Sequence, residues 1–441
     1  MSRQDQMKLG LSVRGVGYHI AAWRYPGVDP RGEMGLSHYL AAARTAERGK
    51  FDMIFFADGV AIRENGDERA LSGFSTLARM EPMTLLPALG VLTERIGLVA
   101  TASTTYNAPY HIARKFATLD HLSGGRACWN AVTSWSDAEA LNFGLKDQID
   151  IELRYERATE FIDVVLGLWD SWDDDAFLFD KEGGRFHDPA KLHTLDHKGE
   201  FYSVRGPLNV ARSPQGRPVV CQAGASEKGR EMAARSADVV FCAAATKEAG
   251  QTFYRQVKSR LPAYGRKEHG LKVLPGVSAI VGRTEAEAQE KYRLLQSLIL
   301  PDVGKAVIGT MVGDLSNYDV DDPLPQVEDR KIQSIGKSMQ ERARTEQLTI
   351  RQLYERVANG RGHLSLVGSA EQVAQTMIEW FESGACDGFN VAAPYLPGSL
   401  DDFVELVVPI LQDRGVFRKD YEGATLRENL GLEYPESRHA H

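Results

Sequence analysis

The sequence predicts an α/β fold, a (β/α)8 barrel with insertions, on three observations. Eight short apolar runs recur along the chain, most of them separated by segments of helical periodicity. Several are apolar almost throughout rather than alternating, as parallel strands covered on both faces are. Polar residues collect where the runs end, which in a parallel barrel is the edge that binds ligands. A doubly wound open sheet is the competing architecture, but no strand leads into GxGxxG or GxxxxGK[ST].

The elements follow in order. Residues 9–13 form the first strand, followed by a glycine-containing loop with His19, Trp23 and Arg24. A helix over 36–48 places Leu36, Leu40 and Ala43 at helical spacing, and Gly49 stops it. The second strand, 51–57, ends in Asp58-Gly59, and a polar loop over 60–80 leads to a helix at 82–94. Strand three (96–103) ends in hydroxyl residues. A Pro-initiated helix (109–122) and the Gly124-Gly125 stop then lead to strand four (127–134). The helix at 151–169 has an inward stripe of Tyr155, Ala158, Ile162, Val165 and Trp169. Residues 170–217 break the rhythm and read as an excursion with a small hairpin. Strands five (218–223), six (238–244) and seven (273–281) follow, with helices at 227–236, 247–263 and 284–299. A second, charged excursion spans 301–362 and is helical over 331–358. Ser369 caps a helix over 370–383, 389–393 is the eighth strand, and a helix at 403–412 precedes a polar terminus.

Composition narrows the function. With 441 residues, 43% apolar and 25% charged, the chain has ample core for one barrel domain. Its net charge of −8 and scattered Lys and Arg argue against nucleic acid. No apolar run approaches the roughly 18 residues of a membrane span, and the N-terminus lacks an apolar signal core, so the cytoplasm is expected. Cys128, Cys221, Cys242 and Cys386 include no CxxC pair. Three lie in apolar runs and read as small core residues of a reducing compartment.

Several residues carry chemistry. Gly224-Ala225-Ser226 joins strand five to a helix, where backbone N–H groups and the positive end of the helix dipole suit a phosphate; a plain N-cap is the alternative. The spacing departs from GxSxG, which disfavours a hydrolase elbow. Asp58, Thr101, Ser103 and Asn130 end strands two to four, placed to hydrogen-bond a polar heterocycle; a turn aspartate and buried strand residues are the plainer readings. Tyr155 is either a core tyrosine or a phosphate or ring contact. His187, His193 and His197 have metal-like spacing without HExxH, so no metal is expected.

The runs TASTTYNAPYHIARKFATLDHLSGGRACWNAVTS, NFG, RYERA, HKGEFYSVRGPLNVARSPQGRPVVCQAGASEKGRE and ELVVPILQDRGVFRKDYEGATLRENLG resemble the bacterial-luciferase-like flavin monooxygenases. The branch is that of nitrilotriacetate, EDTA, dibenzothiophene-sulfone and long-chain-alkane monooxygenases, and the resemblance spans nearly the whole chain. It implies a luciferase-like TIM barrel using FMN as FMNH2, supplied by a separate NAD(P)H:flavin reductase. With O2, a flavin C4a-peroxide species would oxygenate a small organic substrate: an aminopolycarboxylate, a sulfone or thioether, or an alkane. It also implies that Asp58, Thr101, Ser103, Asn130, Tyr155 and Ser226 contact FMN, the last two at its phosphate. Relatives usually carry a His four residues before that Tyr; this chain has Ile151. His19 and Trp23 fall in the substrate pocket, with His19 as candidate proton donor. Arg63, Arg79 and Arg361, in or beside the pocket loops, suit an anionic substrate. A homo-oligomer is expected. The rival readings are a deazaflavin-dependent dehydrogenase and a non-catalytic flavin-binding barrel.

Overall fold

Eight parallel strands close on themselves: Lys8–Val13 (β1), Met53–Phe56 (β2), Gly97–Ser103 (β3), Ala127–Val132 (β4), Val219–Gln222 (β5), Val239–Cys242 (β6), Lys272–Gly282 (β7) and Gly388–Ala392 (β9). Neighbours in that order are hydrogen-bonded, and β9 returns to β1. The computed structural model describes residues 5–62, 68–224, 226–325, 334–360 and 362–439. Among them no single helix is long and apolar enough to cross a membrane.

Alternate residues of each strand face opposite ways. Ile54, Phe56, Leu98, Ala100, Trp129, Ala131 and Val220 pack outward in the main core. They lie under helices that include Leu36–Arg48 (α1), Pro82–Leu92 (α2), Pro109–Leu122 (α3) and Ile151–Trp169 (α4). Met53, Phe55, Val99, Cys128, Val219, Cys221, Val239 and Leu274 point into the barrel, where Leu426, Leu430 and Leu432 join them. That last contact corrects the expected polar terminus. Leu426 and Leu430 are buried and close the amino-terminal end of the barrel, while Phe417 is buried in the main core.

The registers sort the interior into levels, each built from alternate strands. Partners run Phe55–Val99–Cys128, Asn130–Cys221–Val239 and Asn390–Gly10–Met53, and each time the next inward member lies two residues further along its strand. Phe55, Asn130, Phe241 and Asn390 therefore share one level. The levels below it are mainly apolar; the next above carries Ser12, Thr101, Ala223 and Gly276.

Two features differ from the sequence reading. Leu364–Ser369 (β8) is a further strand, pairing only with the far half of the eleven-residue β7, from Val277 to Gly282. It lies outside the closed ring and is only partly buried, so its composition, LSLVGS, lacks the apolar run that marks the barrel strands. The helix expected over 331–358 is two helices, Ser334–Thr345 and Ile350–Gly360, separated near Gln347, whose φ is +51°. The first excursion holds two antiparallel hairpins, Phe177–Asp180 with Arg185–His187 and His197–Lys198 with Ser203–Val204. The second packs its own apolar cluster, including Ile308, Leu353 and Tyr354, against Ile20 and Ala21 of the loop after β1.

Candidate active site

Strand ends and loop geometry converge at the carboxyl-terminal mouth of the barrel. Ser226 is the N-cap of Glu227–Ser236 (α5), its Oγ accepting from Gly229 N at 3.1 Å. The same Oγ lies 3.1 Å from the hydroxyl of Tyr155, one turn into α4. The plain N-cap reading holds, and a capping hydroxyl keeps its proton for a second partner. Gly224 permits the turn: a Cβ there would lie 3.1 Å from Gly229 Cα. Ile151, in the first turn of α4, is 49% exposed.

Thr101 donates to Phe56 O at 2.8 Å and accepts from Asn130 Nδ2 at 2.8 Å. Its hydroxyl is thus spent holding Asn130 in place. Asn130 is 2% exposed, and among the described residues its Oδ1 has no hydrogen-bond partner. A buried acceptor in that state is unusual and suits a donor supplied by a ligand. Ser103 Oγ accepts from Thr105 N at 3.1 Å and from Ser134 Oγ at 2.9 Å, which leaves its own proton to donate. Asp58 is half-buried past the end of β2, and burial pushes its carboxyl above the usual carboxylate range. Glu81 and Glu139 push the same way, against Arg79. Glu139, absent from the sequence reading, is buried and accepts from Val60 N and Ser136 N, both at 3.2 Å, tying the β2 and β4 loops together.

His19 stands on the other side of the mouth, after β1. It is 2% exposed, its backbone N–H bonds Pro394 O beyond β9, and its Nδ1 accepts from Ala21 N at 3.1 Å. That bond leaves the proton of the neutral ring on Nε2. Trp23 Nε1 donates to Gly73 O at 3.1 Å. The structure thus brings Tyr155 and Ser226 together, aligns Thr101 with Asn130, and sets His19 apart from both. Arg79 lies exposed on the rim; Arg63 and Arg361 fall outside the described residues. The three spaced histidines diverge: His193 pairs with Asp173, His197 with Glu160, and His187 packs edge-on against Trp172. A surface hollow of about 380 Å³ lined by Asp29, Arg31, Met34 and His38 shares none of these groups.

The site suits a flavin mononucleotide on local grounds. The Ser226–Tyr155 pair at a helix N-terminus could donate to a phosphate, and Asn130 Oδ1, without a partner among the described residues, could accept an N–H.

The Luciferase-like monooxygenase model matches residues 17–387. N-acetyl-S-(2-succino)cysteine monooxygenase of Bacillus subtilis (strain 168) is 49% identical over 444 residues, covering 100% of this chain and 99% of that protein. Nitrilotriacetate monooxygenase component A of Aminobacter aminovorans is 47% identical over 447 residues, covering 99% of each. Among solved structures, DmoA from Hyphomicrobium sulfonivorans superposes with a TM-score of 0.88 at 32% identity, covering 97% of this chain and 92% of that one. Riboflavin lyase (RcaE), solved with modified FMN and riboflavin, gives 0.86 at 31%, covering 98% and 97%. The chain belongs to the luciferase-like monooxygenase family and is a flavin-dependent monooxygenase.

Proposed function

We propose that this chain is the oxygenase component of a two-component system. It takes FMNH2 from a separate NAD(P)H:flavin reductase and inserts one atom of O2 into a small polycarboxylate carrying an amine or thioether. The Tyr155–Ser226 contact carries the reading, because it unites two otherwise remote positions at a helix N-terminus suited to a phosphate. The substrate class rests on the two full-length relatives, whose names give N-acetyl-S-(2-succino)cysteine and nitrilotriacetate as their substrates.

Reduced FMN, when bound, supplies the electrons that activate O2; the chain's residues position and protect that chemistry. Ser226, Tyr155 and the N-terminal amides of α5 hold the phosphate. Asn130, kept in orientation by Thr101, accepts a ring N–H through Oδ1, while Ser103 donates to a ring acceptor. Asp58, half-buried past the end of β2, would offer its carboxyl to the ring. The insert packed over Ile20 and Ala21 covers the β1 side of the mouth and keeps water out. His19 gives the Nε2 proton to the oxygen being reduced. A His19→Ala variant is expected to turn over more slowly and to release more hydrogen peroxide per NADH; full turnover with tight coupling would remove His19 from this role.

The test of the whole reading is oxygen uptake with a generic flavin reductase, NADH and FMN. The panel comprises N-acetyl-S-(2-succino)cysteine, nitrilotriacetate, a sulfone and an alkane. Uptake stoichiometric with one of the two carboxylates supports it. Uptake with the sulfone or alkane alone overturns the substrate class, and indifference to FMNH2 overturns the function.

A further inference from the structure

The flavin contacts proposed above occupy one half of the mouth, from β2 round to β5. The other half, formed by the ends of β7, β9 and β1, holds polar groups with no role in that assignment. Asn390 is its centre. It is 1% exposed, and among the described residues neither its Oδ1 nor its Nδ2 has a hydrogen-bond partner. A buried amide unmet at both ends is rare in a native interior and points to a partner that binds from outside.

The neighbours of Asn390 explain how its amide and the His363 ring fit side by side. Its partners in register are both glycines, Gly10 on β1 and Gly276 on β7. A Cβ on Gly10 would lie 2.9 Å from Asn390 Oδ1, and one on Gly276 only 2.6 Å from His363 Nδ1. The asparagine amide leans over one glycine and the histidine ring sits over the other. Beside them, Phe241 lies 5.1 Å from the His363 ring and 5.6 Å from Phe55 across the barrel axis. Nearby hydroxyls are engaged elsewhere: Ser12 with Tyr18, and Ser278 with Asn359.

We infer that Asn390 and His363 form the subsite that receives one carboxylate of the substrate, on the half of the mouth left free by the flavin. An amide NH2 and an imidazole N–H are two donors, and a carboxylate accepts from both. Phe55 and Phe241 offer an apolar wall to the carbons between that carboxylate and the reacting atom. The inference rests on the polycarboxylate reading above.

The test measures N-acetyl-S-(2-succino)cysteine and nitrilotriacetate binding to the full chain by calorimetry, with FMN affinity measured separately by fluorescence quenching. Asn390→Ala removes the amide. Gly276→Ala leaves Asn390 in place and displaces His363, so the inference stays testable if one variant fails to fold. Each is expected to weaken the bound carboxylate about tenfold or more, the scale of a lost hydrogen bond to a charged group, while FMN affinity stays within about twofold. Unchanged carboxylate affinity in a folded variant, or FMN affinity falling in step, overturns the subsite. If the wild-type chain binds neither compound, the polycarboxylate reading fails and takes the subsite with it. If it binds one and the variants bind it equally, the subsite alone fails.

Discussion

At the amino-terminal end of the barrel, three buried aspartates stand one residue before β2, β6 and β9, and each accepts the N–H of a neighbouring strand. Asp52 takes Leu9 N at 2.7 Å, Asp238 takes Val220 N at 2.9 Å and Asp387 takes Val273 N at 2.8 Å. Each also has a buried cation: Arg418, Arg427 and Lys258 respectively. The two arginines come from the same terminal segment whose leucines plug the barrel. At the opposite end, 1–2% exposed Asn130 and Asn390 keep amide atoms without partners among the described residues. One end sets each buried aspartate against a cation and so holds strand starts in register; the other buries neutral amides with no partner among the described residues and so has something to offer a ligand. Stability belongs to the first end and binding to the second, the division expected of this architecture.

The comparison breaks most visibly at the plugged end. Arg418→Ala leaves Asp52 charged and fully buried, and is expected to cost about 3–5 kcal/mol of stability, read by calorimetric unfolding. FMN affinity, measured where both proteins are folded, should not change; a parallel loss would show that the two ends are not independent. Asp238→Asn strands Arg427 and costs about 3 kcal/mol at neutral pH on the same grounds. Burial alone would raise the Asp238 carboxyl, but Arg427 and Arg217 outweigh it and hold it below the usual carboxylate range. Its contribution is therefore complete above an unfolded carboxylate pKa of about 3.9 and is lost as pH falls through the lower folded value. The gap between wild type and Asp238→Asn should persist to about pH 4 and close only below it. A gap that closed near pH 6 would mean that another group carries the linkage.

At the open end the signs reverse. Tyr155→Phe removes one hydroxyl and is expected to weaken FMN about tenfold or more, as for a hydrogen bond to a charged group, with little change in unfolding temperature. Ser226→Ala should weaken FMN by a similar factor and also destabilise the chain by about 1 kcal/mol through loss of the N-cap. Riboflavin, which lacks the phosphate, should bind wild type and both variants alike. If riboflavin loses affinity as FMN does, the pair does not serve the phosphate.

How much of this was legible in the sequence follows from which signals are local. The barrel strands announced themselves as apolar runs because parallel strands are buried on both faces, and Ser226 and Tyr155 stood in motifs specific enough to be paired before any geometry was known. β8 was missed because a partly buried strand outside the ring carries no apolar run. The terminal plug was missed because its arginines and acids look solvent-facing until Asp52 and Asp238 are placed beside them. Asn390 was within reach. It is the lone polar residue of FNVAA, the same signal that singled out Asn130. Its pairing with His363 was not, since only the register with Gly276 joins them.

The smallest effect tests the finest point, the isoleucine at 151. It lies four residues before Tyr155, on the same face of α4 and one turn nearer the helix start, 49% exposed. Ile151→His should strengthen FMN only about two- to fivefold at pH 8, since a half-exposed neutral hydrogen bond contributes little net. Lowering the pH through about 6.5 charges the imidazole. In the free protein that charge opposes the helix dipole and costs about 0.3–1 kcal/mol. In the complex the phosphate dianion offsets that cost, so the FMN advantage of the variant should widen from pH 8 to pH 6 while its unliganded stability falls slightly. An advantage that is flat with pH would place the phosphate away from the first turn of α4, and with it away from Tyr155.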